Sequence, residues 1–309
     1  MRGDLPNAES RAEPPGDEVV PRQNHEPRSR EVFDREFLSN LISLNKKQPW
    51  LEDRSERLLD LLSVCESAQE RSLVTDLLHR FYHVDSKLLR TKLDQIVSQV
   101  VSGWGCKPAS TRVVATTRGK HLDSSQMIGY MLKPRFSEEA GWNSSCFYAG
   151  IRDALFASKN GDDLILIDEF CGSGTTISSL KKWLVAECAS LSLVINIRLC
   201  VLTAMRKSEP SINNFSEQNF VCSWLDRGIS DHFSGAALTE AVTSMQRLES
   251  ALCDVSESGS LKKYHFGFKK TESLYVLENG NVPNNVFPIF WWKWLKGEIR
   301  RRPLLERTS

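Results

Sequence analysis

The densest concentration of chemistry in the sequence lies in residues 164–180, LILIDEFCGSGTTISSL. Four aliphatic residues form a buried strand. The adjacent acids Asp168 and Glu169 stand at its carboxyl end, and the turn that follows carries Gly172, Ser173, Gly174, Thr175 and Thr176. Glycines allow backbone conformations closed to other residues. A helix starting directly after them offers unpaired N–H groups to an anion. Carboxylates accept hydrogen bonds only, which suits sugar hydroxyls or a hydrated Mg²⁺. Ligands of open α/β sheets sit beyond the carboxyl ends of the strands. The segment therefore reads as a sugar-phosphate site, with Asp168 and Glu169 as candidate catalytic residues.

Two nucleotide motifs fail here. A P-loop needs GxxxxGK followed by Ser or Thr, but the first lysine after these glycines is Lys181. The dinucleotide fingerprint GxGxxG places Ile177 where its third glycine belongs.

Two further stretches could complete the site. Arg118, Gly119 and Lys120 follow the β-branched run RVVATT, and two cations beside a glycine suit a diphosphate. A solvated basic turn is the competing reading, and His121 and Asp123 add little to either. Near the C-terminus, Asn281, Pro283, Asn284 and Asn285 form a rigid turn with amides that donate and accept, and Asn284 and Asn285 are candidate ligand contacts. Taken as chemistry alone, the same residues read rather as a turn capped by asparagines.

The acid pair, two spacers and GSGTT loop match, position for position, the signature of type I phosphoribosyltransferases, which this segment resembles. The resemblance implies that Asp168 and Glu169 bind the ribose 2′- and 3′-hydroxyls of phosphoribosyl pyrophosphate (PRPP), and that residues 172–176 bind its 5′-phosphate. It also implies a Mg²⁺ ion held mainly through the diphosphate. The N-x-P-N-N turn leading to Pro288 and Trp291, behind an all-helical N-terminal region, extends the resemblance to phosphoribosyltransferase-like proteins of bacterial conflict loci. That family includes anti-phage effectors and accessory proteins of some retrons. It implies an effector that acts on nucleotides or bases as a toxin. The alternative is a non-catalytic nucleotide-sensing or assembly subunit docked on a reverse transcriptase–nucleic acid complex. A homo-oligomer is compatible with either.

The elements that must position these residues follow from periodicity. Residues 1–30 hold five of the twelve prolines and six hydrophobic residues, too few to offset the entropy of ordering; they are expected to be a disordered tail. Across residues 31–105 apolar residues recur with helical period, as in Leu89, Leu93, Ile96 and Val100, so three or four amphipathic helices are expected, with Asp85 or Ser86 capping the last. Residues 106–295 alternate apolar strands (112–117, 164–167 and a run at 191–204) with helices near 125–132, 145–158, 175–189 and 235–253, and a further strand near 274–277. This pattern specifies an α/β fold with a mostly parallel sheet and an N-terminal helical extension; that the sheet is of phosphoribosyltransferase type is what the resemblance implies. Residues 296–309 read as a basic tail: from Lys293 on there are six basic and two acidic residues. With the tryptophans before it, that tail could contact nucleic acid or only aid solubility.

Composition bounds the rest. Forty basic against thirty-nine acidic residues among 309 give a formal charge of +1, which indicates neither a global nucleic-acid footprint nor an acidic solvating chain. No run approaches the ~20 apolar residues of a membrane span, and the polar N-terminus lacks a signal-peptide core. A soluble cytoplasmic protein is expected. Eight cysteines without a CxxC pair fit neither a zinc ribbon nor a disulfide framework and read as mostly buried thiols.

Overall fold

A computed structural model of the chain describes residues 35–117, 124–257 and 259–308. The sheet is built from the continuous apolar runs. In chain order its strands are β2 (Thr111–Ala115), β3 (Phe147–Tyr148), β4 (Asp163–Cys171), β5 (Asn196–Met205), β6 (Gln218–Val221) and β7 (Trp224–Leu225). They pair in the order β3-β2-β4-β5-β6, with β7 also on β5, and every pairing is parallel. The chain is thus an α/β protein with a mostly parallel sheet.

Both faces of this sheet are covered, which is why its central strands are apolar without alternation. Ile165, Ile167, Cys200 and Leu202 pack beneath α4 (Ser86–Ser98) and α5 (Ser124–Phe136) through Leu93, Ile96, Ile128 and Leu132. Leu164, Leu166, Leu199 and Val201 face α6 (Ile151–Phe156), α7 (Thr175–Ser190) and α8 (Glu209–Asn213) through Ile151, Leu155, Ile177, Leu180 and Ile212. Asp85 caps α4, its carboxylate accepting from the Leu88 N–H at 2.7 Å.

A third core lies away from the sheet. Here α1 (Arg35–Lys47), α2 (Ser55–Leu62) and α3 (Ala68–His79) pack with α9 (Gly235–Ser250) around Phe287, Phe290, Trp291, Trp292, Leu304 and Leu305. A short strand β1 (Tyr82–Val84) leaves α3 and pairs in parallel with β10 (Tyr275–Leu277), Tyr82 opposite Tyr275. Between them in sequence comes a small antiparallel pair, β8 (Val255–Ser256) and β9 (Gly259–Ser260).

Several expectations need correction. The strand expected to end at Ile167 continues to Cys171 and takes in both acids, because backbone pairing with β5 runs on to Cys171 opposite Ala204. The run at 191–204 becomes strand only from Asn196. The helix expected at 145–158 is a 3₁₀ turn, the edge strand β3 and the six-residue α6, whose N-cap is Gly150. The strand near 274–277 pairs with β1 outside the main sheet.

The largest corrections concern the two ends of the chain. Residues 31–105, expected as a helical extension, are integrated with the rest: α1–α3 share a core with the C-terminal aromatics and α4 covers the sheet. Residues 296–309 are not a solvated tail. Leu304 and Leu305 are fully buried, and Arg301 is buried with Nε donating to the Trp292 carbonyl at 2.9 Å. Arg302 pairs with Glu56 at 2.7 Å and Asp60 at 3.0 Å, while Arg54 donates to the Leu304 carbonyl at 2.9 Å. Arg302 is thus held on α2, and Arg301 and Arg307 on backbone carbonyls of the core. Residues 1–30 lie outside the described residues. No described helix is long and apolar enough to cross a membrane.

Removing residues 1–104 would strip four helices from two of the three cores and expose their apolar faces. The remaining fragment is expected to be insoluble, or to bind a hydrophobic dye and melt without a cooperative transition. A soluble fragment with a sharp calorimetric transition would show the helical region to be dispensable.

Candidate functional site

The turn from β4 into α7 is held at both ends by burial: Ile167 and Cys171 sit within the sheet, and Ile177, Leu180 and Leu184 anchor the helix. Its two glycines serve different purposes. Gly174, the N-cap of α7, has φ +75°, in the left-handed region that favours glycine, and a Cβ there would also strike Ser211. Gly172 has no such backbone angle. Its missing Cβ makes room for the side chain of Asn285, which occupies that space. The expectation of special backbone freedom thus holds for Gly174 only.

The N-cap, Gly174, has no side chain to cap α7, and Thr175 N–H reaches Ser173 Oγ only at 3.5 Å. The following N–H groups of the first turn are left oriented for an anion. Ser173 Oγ lies 3.0 Å from Thr175 Oγ1, Ser173 is half-buried, and Thr175 and Thr176 are exposed. The Cys171 thiol before them is pushed up to about 12 by burial, which keeps it protonated and unreactive at neutral pH.

The paired acids diverge because neighbouring residues of a strand point to opposite faces. Glu169 is 3% exposed and accepts a 2.7 Å hydrogen bond from the Tyr275 hydroxyl. Burial, with the Glu169 charge second, raises Tyr275 well above the usual phenol range, so it keeps the proton it donates. Phe170 stacks on Tyr275 at 4.4 Å and 11°. Glu169 is thus not an acid standing beyond the strand end, but one committed to a buried tyrosine. Asp168 is half-buried.

A cavity of about 530 Å³ opens beside these residues at the carboxyl ends of β2 and β4. Asp168, Glu169, Phe170 and Thr176 form one side; Thr116, Thr117 and Ser124 another; residues 281–285 and Arg307 close it. The structure thereby brings Asn284 and Asn285 to the same cavity as the acid pair and the start of α7, while Gly172 lies behind Asn285. Ser173, Gly174 and Thr175 do not line this cavity. Arg118, Gly119 and Lys120, with His121 and Asp123, lie outside the described residues; the residues flanking them, Thr117 and Ser124, both line the cavity. A larger cavity of about 950 Å³, between α2 and the C-terminal segment, shares no lining residue with this one.

Asn285 is also a structural residue. Its Nδ2 donates to the Phe268 carbonyl at 3.3 Å and Thr271 Oγ1 at 3.2 Å, leaving Oδ1 as the side chain's remaining acceptor. Its carbonyl accepts from Thr271 Oγ1 at 2.9 Å and the Ser273 N–H at 3.1 Å. The supporting loop holds Phe266, Lys269, Lys270 and Glu272 at positive φ, a strained run braced by Lys207 Nζ on the carbonyls of Lys269 (2.6 Å) and Lys270 (2.8 Å). Asn281 is tied to Thr308, its amide donating at 3.0 Å and its Oδ1 accepting at 2.9 Å. Sequence reasoning missed Tyr275 and Arg307. A tyrosine in an apolar strand and an arginine in a basic run give no separate signal. Among the described residues no group of three or more His, Cys, Asp or Glu is arranged to hold a metal.

Comparison with known proteins follows this geometry. The PRTase-CE family model matches residues 50–307. No curated protein matches the sequence. Among solved structures, hypoxanthine phosphoribosyltransferase of Trypanosoma cruzi with bound IMP is 10% identical, the match covering 46% of this chain and 73% of that one, with a TM-score of 0.32. The hypoxanthine-guanine enzyme of Leishmania tarentolae with GMP gives 10%, 46%, 79% and 0.32 in the same order. Orotate phosphoribosyltransferase of Aeropyrum pernix gives 16%, 45%, 72% and 0.28.

Tyr275→Phe removes the phenolic hydrogen bond to the buried Glu169. It is expected to lower unfolding free energy by about 1–3 kcal/mol, with Glu169→Ala at least as costly and Asp168→Ala much milder. Chemical denaturation of the three variants checks this order; equal effects would mean that both acids are equally exposed to solvent.

Proposed function

Because the chain belongs to the PRTase-CE family and is phosphoribosyltransferase-like, we propose that its cavity binds PRPP or a related ribosyl phosphate and that the protein acts on nucleotides or bases. The observation that carries this reading is the shared cavity: a carboxylate, Asp168, and the start of an uncapped helix, at Thr176, meet in one space of about 530 Å³. An acceptor-only group beside an anion-binding helix terminus complements the hydroxyls and phosphate of a ribose phosphate.

In this reading the 5′-phosphate reaches from the cavity, past Thr176, to the first turn of α7, where the hydroxyls of Ser173 and Thr175 lie just outside the cavity wall. Asp168 accepts hydrogen bonds from the ribose hydroxyls and lies where positive charge on the sugar ring would be stabilised as the bond at C1 breaks. Glu169 acts through the hydrogen bond with Tyr275, fixing the end of β4. Arg118, Gly119 and Lys120 remain the proposed diphosphate loop, joined to the cavity through Thr117 and Ser124. Mg²⁺, in this reading, is held mainly by substrate oxygens, with Asp168 the cavity carboxylate that would meet it. When bound, the ion would neutralise diphosphate leaving C1. The toxin role in anti-phage defence, including retrons, is proposed from the motif resemblance.

One observation favours a second reading, a non-catalytic nucleotide sensor: the second acid of the signature is taken up by a buried tyrosine. Calorimetric titration with PRPP tests the shared premise, and mass spectrometry of the incubated mixture separates the two. Asp168→Asn is expected to weaken PRPP binding by about tenfold or more, ~1.4 kcal/mol, with an unchanged melting temperature. Wild-type protein that binds no PRPP, or an Asp168→Asn variant that binds it equally well, would sink the assignment. Diphosphate release by wild type alone marks an enzyme; binding without turnover marks a sensor.

A further inference from the structure

The C-terminal segment was read from sequence as a basic tail, yet one of its cations reaches the candidate cavity. Arg307 is the single positively charged lining residue among those described. Its position is fixed from three sides. Nη1 donates to the Val282 carbonyl at 2.7 Å, and the guanidinium lies 5.3 Å from the centre of the Trp291 ring, which is itself buried. The segment carrying it is registered against the asparagine turn by the Val282 N–H on the Glu306 carbonyl (3.2 Å) and by the two hydrogen bonds between Asn281 and Thr308.

What the guanidinium lacks is a counter-ion. Arg302 and Arg57 of the same neighbourhood pair with carboxylates, but among the described residues Arg307 makes no ion pair, and its Nε is buried without a hydrogen-bond partner. Burial lowers its affinity for the proton, with only Tyr264 opposing. A partly buried cation that makes no direct ion pair, with the carboxylates of the same cavity out of contact range, is offset by an anion that a ligand brings to it. A guanidinium offers a planar fork suited to phosphate or carboxylate. Asn284 and Asn285 line the same cavity.

We infer that Arg307 contacts the ligand directly, holding an anionic group that a ribosyl phosphate carries at C1, separate from the 5′-phosphate at the start of α7. This rests on the ribosyl-phosphate reading of the cavity and adds to it a specificity residue from the far end of the chain. Two sources share the required chemistry: the diphosphate of PRPP and an acidic group on an attached base.

The test titrates full-length protein with four probes: ribose 5-phosphate, PRPP, UMP and orotidine 5′-monophosphate. The comparison of PRPP with ribose 5-phosphate isolates the diphosphate; that of orotidine monophosphate with UMP isolates a base carboxylate. Arg307→Gln, and Arg307→Met, which keeps an apolar stem against Trp291, are expected to reduce the wild-type preference within one pair by about tenfold, while ribose 5-phosphate affinity stays within about twofold. The pair that responds identifies the source of the anion. Unchanged preferences in both pairs overturn the inference but not the ribosyl-phosphate site. An equal loss for all probes in a variant that melts normally also overturns it. Wild type that binds none of the four overturns the site and the inference together.

Discussion

The side chain of Asn285 stands where a Cβ on residue 172 would be, and the geometry of the site depends on that close approach. It joins the turn after β4 to the chain more than a hundred residues later. Its amide hydrogens and carbonyl are taken by Phe268, Thr271 and Ser273, so the wedge cannot swing aside without leaving buried polar groups unpaired. Gly267 lies tight against the Asn285 carbonyl, and several neighbours of that glycine sit at positive φ. Such strain persists only where the surroundings over-determine it, as they do when one asparagine braces two loops.

Tyr275 makes the second connection. It belongs to the β1–β10 pair, which links the helical region to the C-terminal part, and it also lies in the core under the sheet. Its ring stacks on Phe170 and its hydroxyl satisfies Glu169. A carboxylate buried at the end of a strand needs a donor that does not itself ionise, and a buried phenol meets that need. The N-terminal helices therefore contribute to the site indirectly, through the strand that follows them.

The C-terminal segment closes the arrangement. It lies between α2, reached through Arg302 and Arg54, and the cavity, reached through Arg307. The exposed ion pairs with α2 contribute little each, whereas Leu304 and Leu305 are fully buried and fix the segment's path. A change at α2 thus has a short physical route to the cavity wall.

Read by itself, the sequence determined the parallel α/β core and the turn after β4, because continuous β-branched runs and a glycine-hydroxyl cluster act locally. Asp85 as an N-cap and the helices α7 and α9 were legible for the same reason: capping and periodicity involve residues within a few positions of one another. The tertiary structure alone decided that Glu169 is buried while Asp168 is half-exposed, since the acid pair looks symmetric until a partner strand sets which face meets Tyr275. It alone distinguished the role of Gly172 from that of Gly174, because a missing Cβ matters only when something distant fills its place. It also turned an apparent basic tail into packed structure, since Arg301 is buried, Arg302 and Glu306 pair with partners on α2, and Arg307 lines the cavity, by contacts that local sequence does not name.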